Sequence, residues 1–141
     1  MSHSVPKTDY EALAAFRYAL SRFLHFSAMA ARSVGLSPQQ HQALLAIKGQ
    51  KDREYLTMSE LAEKLQLKHH SAVGLVDRLV TKKLVAREAD KADKRVVHVY
   101  IAPKGETLIA RLSATHREEL RKIGPDLSAR LEAILSGSAD S

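Results

Sequence analysis

The sequence predicts a mainly α-helical fold with a small β-wing, and three observations within residues 57–95 lead to this prediction. Two short amphipathic segments separated by a turn follow one another without a gap, in the order typical of a helix-turn-helix. The apolar spacing then changes from helical to alternating, which indicates two strands. A short, highly charged segment joins these strands. Together the three features predict a winged helix-turn-helix.

A long helix is predicted ahead of this stretch. Residues 9–34 carry apolar side chains at steps of three and four residues, and Gly35 supplies a helix stop. A second helix follows, with Ser37 as the N-cap, Pro38 in the first turn and Gln40 as the capping-box partner. We therefore expect two helices before the helix-turn-helix, and the polar connection after them leads into a short third strand at Tyr55-Leu56.

The two helices of the helix-turn-helix each have a local cause. Thr57 followed by Glu60 fits a capping box, which predicts a helix start. The second helix has an apolar stripe of Ala72, Leu75, Val76, Leu79 and Val80. Its N-terminal end normally faces base edges in the major groove of DNA. The residues clustered at or near that end are Lys68, His69, His70, Ser71, Val73 and Gly74.

The predicted wing begins after Leu84. Residues 84–86 start one strand, residues 96–101 return as a second β-branched strand, and residues 90–95 form the charged tip. Four cations lie on or beside this hairpin: Arg87, Lys91, Lys94 and Arg95. A projecting basic hairpin suits phosphates or the electronegative minor groove of A·T-rich DNA.

The C-terminal part is predicted to form two helices. Pro103 starts the first, Gly124-Pro125 breaks it, and a short final helix follows. The apolar stripes of residues 9–34 and 103–136, which include Leu20 and Leu112, exceed what a small core needs, so we expect both regions to bury against a second copy of the chain. This assigns residues 38–101 to a DNA-binding lobe within one domain, 1–141.

The amino-acid composition of the chain excludes several classes of protein. The 141 residues have a formal net charge of +6 and a pI of about 9.7, which favours polyanionic partners. The absence of cysteine excludes disulfides and thiolate metal sites. No secretion signal or membrane-length apolar stretch is visible, so a cytoplasmic protein is expected. No enzyme constellation has useful spacing, and we expect neither catalysis nor a cofactor or metal.

The chain resembles the multiple-antibiotic-resistance regulator (MarR) family of bacterial transcription factors over nearly its whole length. The most specific part is VDRLVTKKLVAREADKADKRVVHVYIAPKG, with an Asp-x-Arg pattern at Asp93-Lys94-Arg95. The resemblance implies a symmetric homodimer, most often a repressor, that binds a palindromic operator on double-stranded DNA. It also implies that Arg95 enters the minor groove and that Asp93 helps hold the hairpin.

The chain departs from the family pattern in several places. Val73 and Gly74 replace a common Ser or Thr followed by Arg, so one usual DNA contact is missing. His69 and His70 stand where Pro, Ser or Lys is common, and Lys83 replaces a common helix-ending glycine. Readout by imidazoles and Ser71 is therefore expected.

The sequence leaves more than one role open for several residues. His69 and His70 fit DNA contact, solvated surface or metal binding, although adjacent helical residues point about 100° apart and cannot chelate one ion as an i, i+4 pair can. Arg78 and Lys82 fit either phosphate contacts or salt bridges, with Asp77 and Glu60 as candidate partners of Arg78.

A small aromatic ligand is a further expectation. The family often takes such ligands between its dimer and DNA-binding lobes, and the candidate lining residues here are Phe16, Phe23, Phe26 and His41. Helical spacing is explained equally well by core and interface packing. A second function class, a winged helix that binds proteins without sequence-specific DNA recognition, would be expected to have an apolar or acidic recognition face.

Overall fold

The computed structural model describes residues 4–137. Its elements in chain order are α1 (Lys7–Ser33), α2 (Pro38–Lys48), β1 (Tyr55–Thr57), α3 (Met58–Leu65), α4 (His69–Thr81), β2 (Val85–Ala89), β3 (Val97–Ile101) and α5 (Pro103–Gly137). The predicted mainly α fold with a small β-wing is confirmed. The chain divides into two compact units, the first formed by residues 4–29 and 114–137 and the second by residues 30–113.

The second unit contains the helix-turn-helix and the sheet. The expected third strand is β1, and the antiparallel order is β1-β3-β2. Leu56 lies opposite Val99, and both are fully buried beneath the sheet. The largest buried side chains of the core come from α2, α3, α4 and α5, from β1 and from the turn before β2: Leu44, Ile47, Leu56, Leu61, Leu75, Leu79, Leu84 and Ile109.

Both predicted capping boxes are formed. The backbone N–H of Gln40 donates to Ser37 Oγ (3.1 Å), and the Ser37 N–H donates to Gln40 Oε1 (3.0 Å). In α3 the Glu60 N–H donates to Thr57 Oγ1 (3.1 Å), and the Thr57 N–H donates to Glu60 Oε1 (2.9 Å). Each box satisfies two backbone donors that lack intrahelical partners, which fixes where α2 and α3 begin.

Glu60 also forms an ion pair with Arg53, and this pair predicts acid-sensitive stability. The Arg53 guanidinium, followed by the Thr57 N–H, lowers the pKa of Glu60 from 4.5 to about 2. A carboxyl whose pKa is depressed on folding stabilises the fold above its unfolded pKa and loses that contribution as pH falls. Since 38% of the side chain is exposed, we expect Glu60→Gln to cost only about 1 kcal/mol of unfolding free energy at neutral pH.

The difference between wild type and Glu60→Gln should disappear between about pH 5 and pH 2, as measured by urea unfolding across that range. Glu63→Gln is the matched control, because Glu63 is exposed on the same helix and makes no ion pair among residues 4–137. A Glu60→Gln deficit that stays constant with pH would contradict this role for the ion pair.

The end of α4 places Lys83 in a backbone conformation that favours glycine. Lys83 has φ +64°, in the left-handed region that favours glycine. Its N–H donates to Val80 O (2.9 Å), and the Leu84 N–H donates to Leu79 O (2.9 Å), which is a Schellman ending. The chain therefore makes the turn into β2 with a lysine in a strained backbone conformation.

Gly105 is required by close packing in the first turn of α5. A Cβ atom at this position would lie 2.2 Å from the Leu84 carbonyl oxygen and 2.9 Å from Ile101 Cγ2. The same carbonyl accepts a hydrogen bond from the Ala102 N–H at 2.9 Å. Any larger residue would push α5 away from the base of the wing.

The predicted break at Gly124-Pro125 is wrong. α5 continues through Pro125 to Gly137 as one helix, so the expected final short helix does not exist as a separate element. Proline lacks the N–H that would bond to the Arg121 carbonyl, a loss that costs about 3 kcal/mol in a helix interior. Ile123 and Leu127, on either side of the proline, line the same pocket with α1. Partly buried apolar side chains on both sides offset part of the missing hydrogen bond.

Leu112 was expected on an intermolecular stripe, and that expectation is also wrong. Leu112 is 3% exposed and belongs to the core of the second unit together with Ile109. The first unit, in contrast, leaves many large apolar side chains exposed on α1 and α5: Tyr10, Leu13, Tyr18, Leu24, Met29, Leu120, Leu131 and Leu135. Helical periodicity identifies the apolar face of α5 but does not tell where along its length that face becomes core.

Candidate nucleic-acid interface

The N-terminal end of α4 is an exposed, electropositive surface. Lys68 is the N-cap residue, and its side chain makes no capping hydrogen bond. The first turn contains no acidic residue, and Lys68, His69 and His70 are exposed. Because the first backbone N–H groups of a helix have no intrahelical partners and carry the positive end of the helix dipole, this end is suited to an anion.

The opposite side of α4 anchors the helix in the core through Ala72, Leu75, Val76 and Leu79. Ser71, Val73 and Gly74 lie partly buried at the margin of the exposed end. Gly74 has no side chain, and a Cβ atom built there would be in ordinary van der Waals contact with Arg78 Nη1, at 3.7 Å. A large partner can therefore approach the helix closely at Gly74.

Arg78 does not form the ion pairs considered for it. Asp77 pairs with Arg87 across to β2, and Glu60 pairs with Arg53, so both candidate carboxylates are engaged elsewhere. Arg78 is exposed and has no ion pair within residues 4–137. Its guanidinium is available to a phosphate.

Lys82 has a structural role that the sequence did not indicate. Its ammonium donates to the Gly35 carbonyl oxygen and to Gln40 Oε1, each at 2.8 Å. These bonds connect the end of α4 to the turn before α2, and they stand in place of the considered salt bridge. A phosphate contact by Lys82 would have to compete with both.

The wing is a two-stranded hairpin with an ordered tip. In the tip, the Asp90 N–H donates to Val96 O (2.8 Å), and the Val96 N–H donates to Asp93 O (2.9 Å). The side chain of Asp90 accepts from the Ala92 and Asp93 N–H groups at 2.9 Å each, and these bonds lower its pKa. The tip is thus closed by a side chain as well as by the strands.

Asp93 and Arg95 form a fork at the end of the wing. Asp93 Oδ1 accepts from Arg95 Nε (3.1 Å) and from the Arg95 backbone N–H (3.1 Å), and Oδ2 accepts from Nη2 (3.3 Å). The Arg95 hydrogen bonds lower the pKa of Asp93. The arginine side chain is nevertheless 92% exposed, so its guanidinium is oriented by Asp93 while it projects outward.

Lys91 and Lys94 are the other cations of the wing tip. Both are exposed, and neither forms an ion pair in the part of the chain that the structure describes. They add positive charge beside Arg95 without a carboxylate partner to neutralise it.

Sequence reasoning missed an aromatic cluster on the outer face of the sheet. The rings of Tyr55 and His98 stack at 4.0 Å with an angle of 11° between planes, and Tyr100 lies beside both. His98 Nε2 lies 3.1 Å from Asp90 Oδ1 at the wing tip, and Arg53 lies over the Tyr55 ring. The alternation of β3 puts His98 and Tyr100 on one face, but their partners depend on a strand register that no local pattern gives.

A pocket of about 670 Å³ lies within the first unit, between α1 and α5. Of the candidate ligand residues, Phe23 and Phe26 line it, whereas Phe16 is not part of its wall and His41 is buried in α2 of the second unit. The wall combines apolar side chains with the charged or titratable groups of Arg22, His25, Glu119, Asp126 and Arg130.

His116 lies on α5, contacts α1 and has a structural role. Its Nε2 lies 2.7 Å from Ser27 Oγ, and Phe23 and Phe26 contact the imidazole edge-on at 6.0 and 5.6 Å between ring centres. Within residues 4–137 no group of three or more His, Asp or Glu side chains could hold a metal ion, and no helix is long and apolar enough to cross a membrane.

Comparison with known proteins supports the fold and its class. Residues 34–96 match the model of the MarR family. A segment of 66 residues is 36% identical to an HTH-type transcriptional regulator of Bacillus subtilis, YsmB; it covers 47% of this chain and 45% of that relative's length.

Two solved structures extend the similarity beyond the matched segment. AbsC, a MarR family transcriptional regulator from Streptomyces coelicolor, has a TM-score of 0.78 at 17% identity, over 99% of this chain and 97% of that one. A mutant of MepR from Staphylococcus aureus, solved bound to an oligodeoxyribonucleotide, has a TM-score of 0.68 at 20% identity, over 90% and 96%. At these identities the structures show a shared fold.

Proposed function

We propose that the chain is a homodimeric, sequence-specific DNA-binding member of the MarR family of winged helix-turn-helix transcription regulators, which are not enzymes. In this proposal the protein represses promoters that carry a palindromic operator, and it acts in the cytoplasm where that DNA is found. The DNA-bound MepR structure supports a DNA-binding use of the shared fold.

The observation that carries the proposal is the pairing of two exposed basic features in the second unit. The N-terminal end of α4 has no acidic residue and no side-chain cap, and the wing presents an arginine that is 92% exposed yet oriented by a carboxylate. An arginine that served only to keep the wing in water would not need a carboxylate to orient its guanidinium. Both features suit the grooves and phosphates of a duplex.

The proposed contacts with DNA are of two kinds, those to base edges and those to phosphates. Lys68, His69, His70 and Ser71 would read base edges from α4 in the major groove, with Gly74 allowing close approach. Arg95 would enter the minor groove, and the remaining cations would contact phosphates: Arg78, Lys91 and Lys94, with Lys82 at the margin.

The homodimer is proposed from the surface of the first unit. Among the described residues, every exposed large apolar side chain except Leu45 belongs to that unit. Many exposed apolar side chains on long helices favour association with an identical surface. The pocket in the same unit, with Phe23 and Phe26 beside Arg22 and Arg130, is proposed to take a small aromatic ligand that releases the DNA.

The proposal is tested by selecting genomic fragments that bind the full-length protein and measuring their affinity at about 50 mM and 200 mM salt. We expect tight binding to a selected fragment that resists competitor DNA and weakens steeply with salt. Binding that unrelated competitor removes at both salt concentrations would instead indicate a non-specific basic surface.

The two exposed histidines of α4 are proposed to contact the operator. Their ring nitrogens can donate to or accept from base edges and phosphate oxygens. We expect a His69→Gln, His70→Gln double variant to bind one operator more weakly than wild type by roughly 1–3 kcal/mol, measured by fluorescence anisotropy. Wild-type affinity in this variant would leave Ser71, Lys68 and the wing to carry the readout.

A further inference from the structure

One carboxylate connects the wing tip to the sheet. Asp90 Oδ2 accepts from the Ala92 and Asp93 N–H groups at 2.9 Å, and Oδ1 lies 3.1 Å from His98 Nε2. The first two bonds define the turn of the tip, and the third ties that turn to the central strand β3. The tip is therefore fixed to the sheet by the His98 side chain as well as by the strand ladder.

His98 is itself held on several sides. Tyr55 of β1 stacks on the ring at 4.0 Å, the Tyr100 hydroxyl lies 3.4 Å from Nδ1, and only 14% of the side chain is exposed. With Nε2–H donating to Asp90, a neutral imidazole accepts from the Tyr100 hydroxyl at Nδ1, and an imidazolium donates to it. Both charge states keep the ring in place, but only the imidazolium forms an ion pair with Asp90.

The path from His98 to the exposed arginine is short. Asp90 binds the backbone N–H of Asp93, and the Asp93 carboxylate orients the Arg95 guanidinium through Nε and Nη2. We propose that His98 is a positioning residue: through Asp90 it holds the wing tip in the conformation that presents Arg95 to DNA. The effect on DNA binding rests on the proposed function, whereas the contacts of His98 and Asp90 that fix the wing tip are present in the unbound protein.

The groups around the imidazole keep its hydrogen-bond partners in one protonation state. The carboxylates are Asp90 and, opposite on β2, Glu88; Arg53 lies beside the cluster, 4.9 Å from the centre of the Tyr55 ring. The Asp93 and Ala92 N–H groups lower the pKa of Asp90, and burial followed by Glu88 raises the pKa of Tyr100. Asp90 therefore stays ionised and accepts from His98 Nε2, while Tyr100 keeps its hydroxyl proton.

The first test uses the unbound protein. We expect His98→Phe, which keeps a ring on Tyr55 but loses the bond to Asp90, to shift the amide resonances of Ala92 and Asp93 and to raise their hydrogen-exchange rates by about two- to tenfold, the range of one net hydrogen bond. His98→Gln, which keeps an uncharged donor, should raise the rates less, and His69→Gln, His70→Gln should leave them unchanged. Wild-type resonances and exchange rates in His98→Phe would overturn the proposal.

The second test measures DNA binding. His98→Phe should weaken operator affinity by about two- to tenfold, the range of one net hydrogen bond, and His98→Gln by less. In an Arg95→Ala background the His98→Phe change should add almost nothing, because both act through the same guanidinium. Wild-type affinity in His98→Phe while Arg95→Ala is weak would overturn the positioning role. If wild type itself binds no operator, the proposed function fails, and the amide hydrogen exchange of Ala92 and Asp93 still decides whether His98 holds the tip.

Discussion

Arg95→Ala is expected to weaken operator binding by roughly 1–3 kcal/mol, which is about a 5- to 150-fold loss of affinity. The side chain is 92% exposed and contacts Asp93 but no core residue, so the free energy of unfolding should change by less than about 0.5 kcal/mol. Anisotropy titrations on one operator, together with urea unfolding of the same preparations, measure both quantities.

Two further variants test whether the effect of Arg95→Ala is specific to this side chain. Arg95→Lys keeps the charge but loses the planar fork that Asp93 orients, so it should recover only part of the affinity. Arg121→Ala removes an exposed arginine of α5 in the first unit and should bind like wild type. Wild-type affinity in Arg95→Ala would remove the wing from the interface.

Leu24→Glu is expected to dissociate the homodimer. Leu24 is 57% exposed on α1 within the apolar surface of the first unit. A symmetric interface would bury the new carboxylate twice without partners, and each unpaired buried charge costs several kcal/mol. Sedimentation velocity should therefore show a monomer at concentrations where wild type is a dimer, and operator affinity should fall with it.

Leu45→Glu is the matched control for the dimer prediction. It makes the same chemical change at a leucine that is 48% exposed, but on α2 in the second unit. This variant should remain a dimer. Dimers of equal stability in both variants would mean that the proposed interface is on the wrong surface. Loss of the dimer in Leu45→Glu alone would mean that the interface includes α2.

Local signals explain most of the fold that the sequence predicted. Capping boxes act within four residues, and they correctly mark where α2 and α3 begin. The change from helical to alternating spacing likewise locates the wing. Pro125 was misread because a helix break is a balance between a lost hydrogen bond and packing on both sides, and only the fold reveals that packing.

The candidate site was predictable in its outline but not in its internal contacts. Asp93 and Arg95 are two residues apart, so their pairing is local and their spacing indicated it. Lys82 bonds to a carbonyl 47 residues away, and His98 meets Asp90 and Tyr55 only through strand register. Contacts of this kind depend on the tertiary fold, which no pattern within one segment encodes.

Chemical footprinting of a selected operator tests the central claim most directly. A homodimer that uses α4 in the major groove and the wing in the minor groove predicts two symmetric half-sites about one helical turn apart. Each half-site should contain a major-groove contact flanked by a minor-groove contact, and the minor-groove contact alone should be lost with Arg95→Ala. Protection that is uniform along the fragment, or confined to one asymmetric site, would contradict sequence-specific recognition by a symmetric winged-helix dimer.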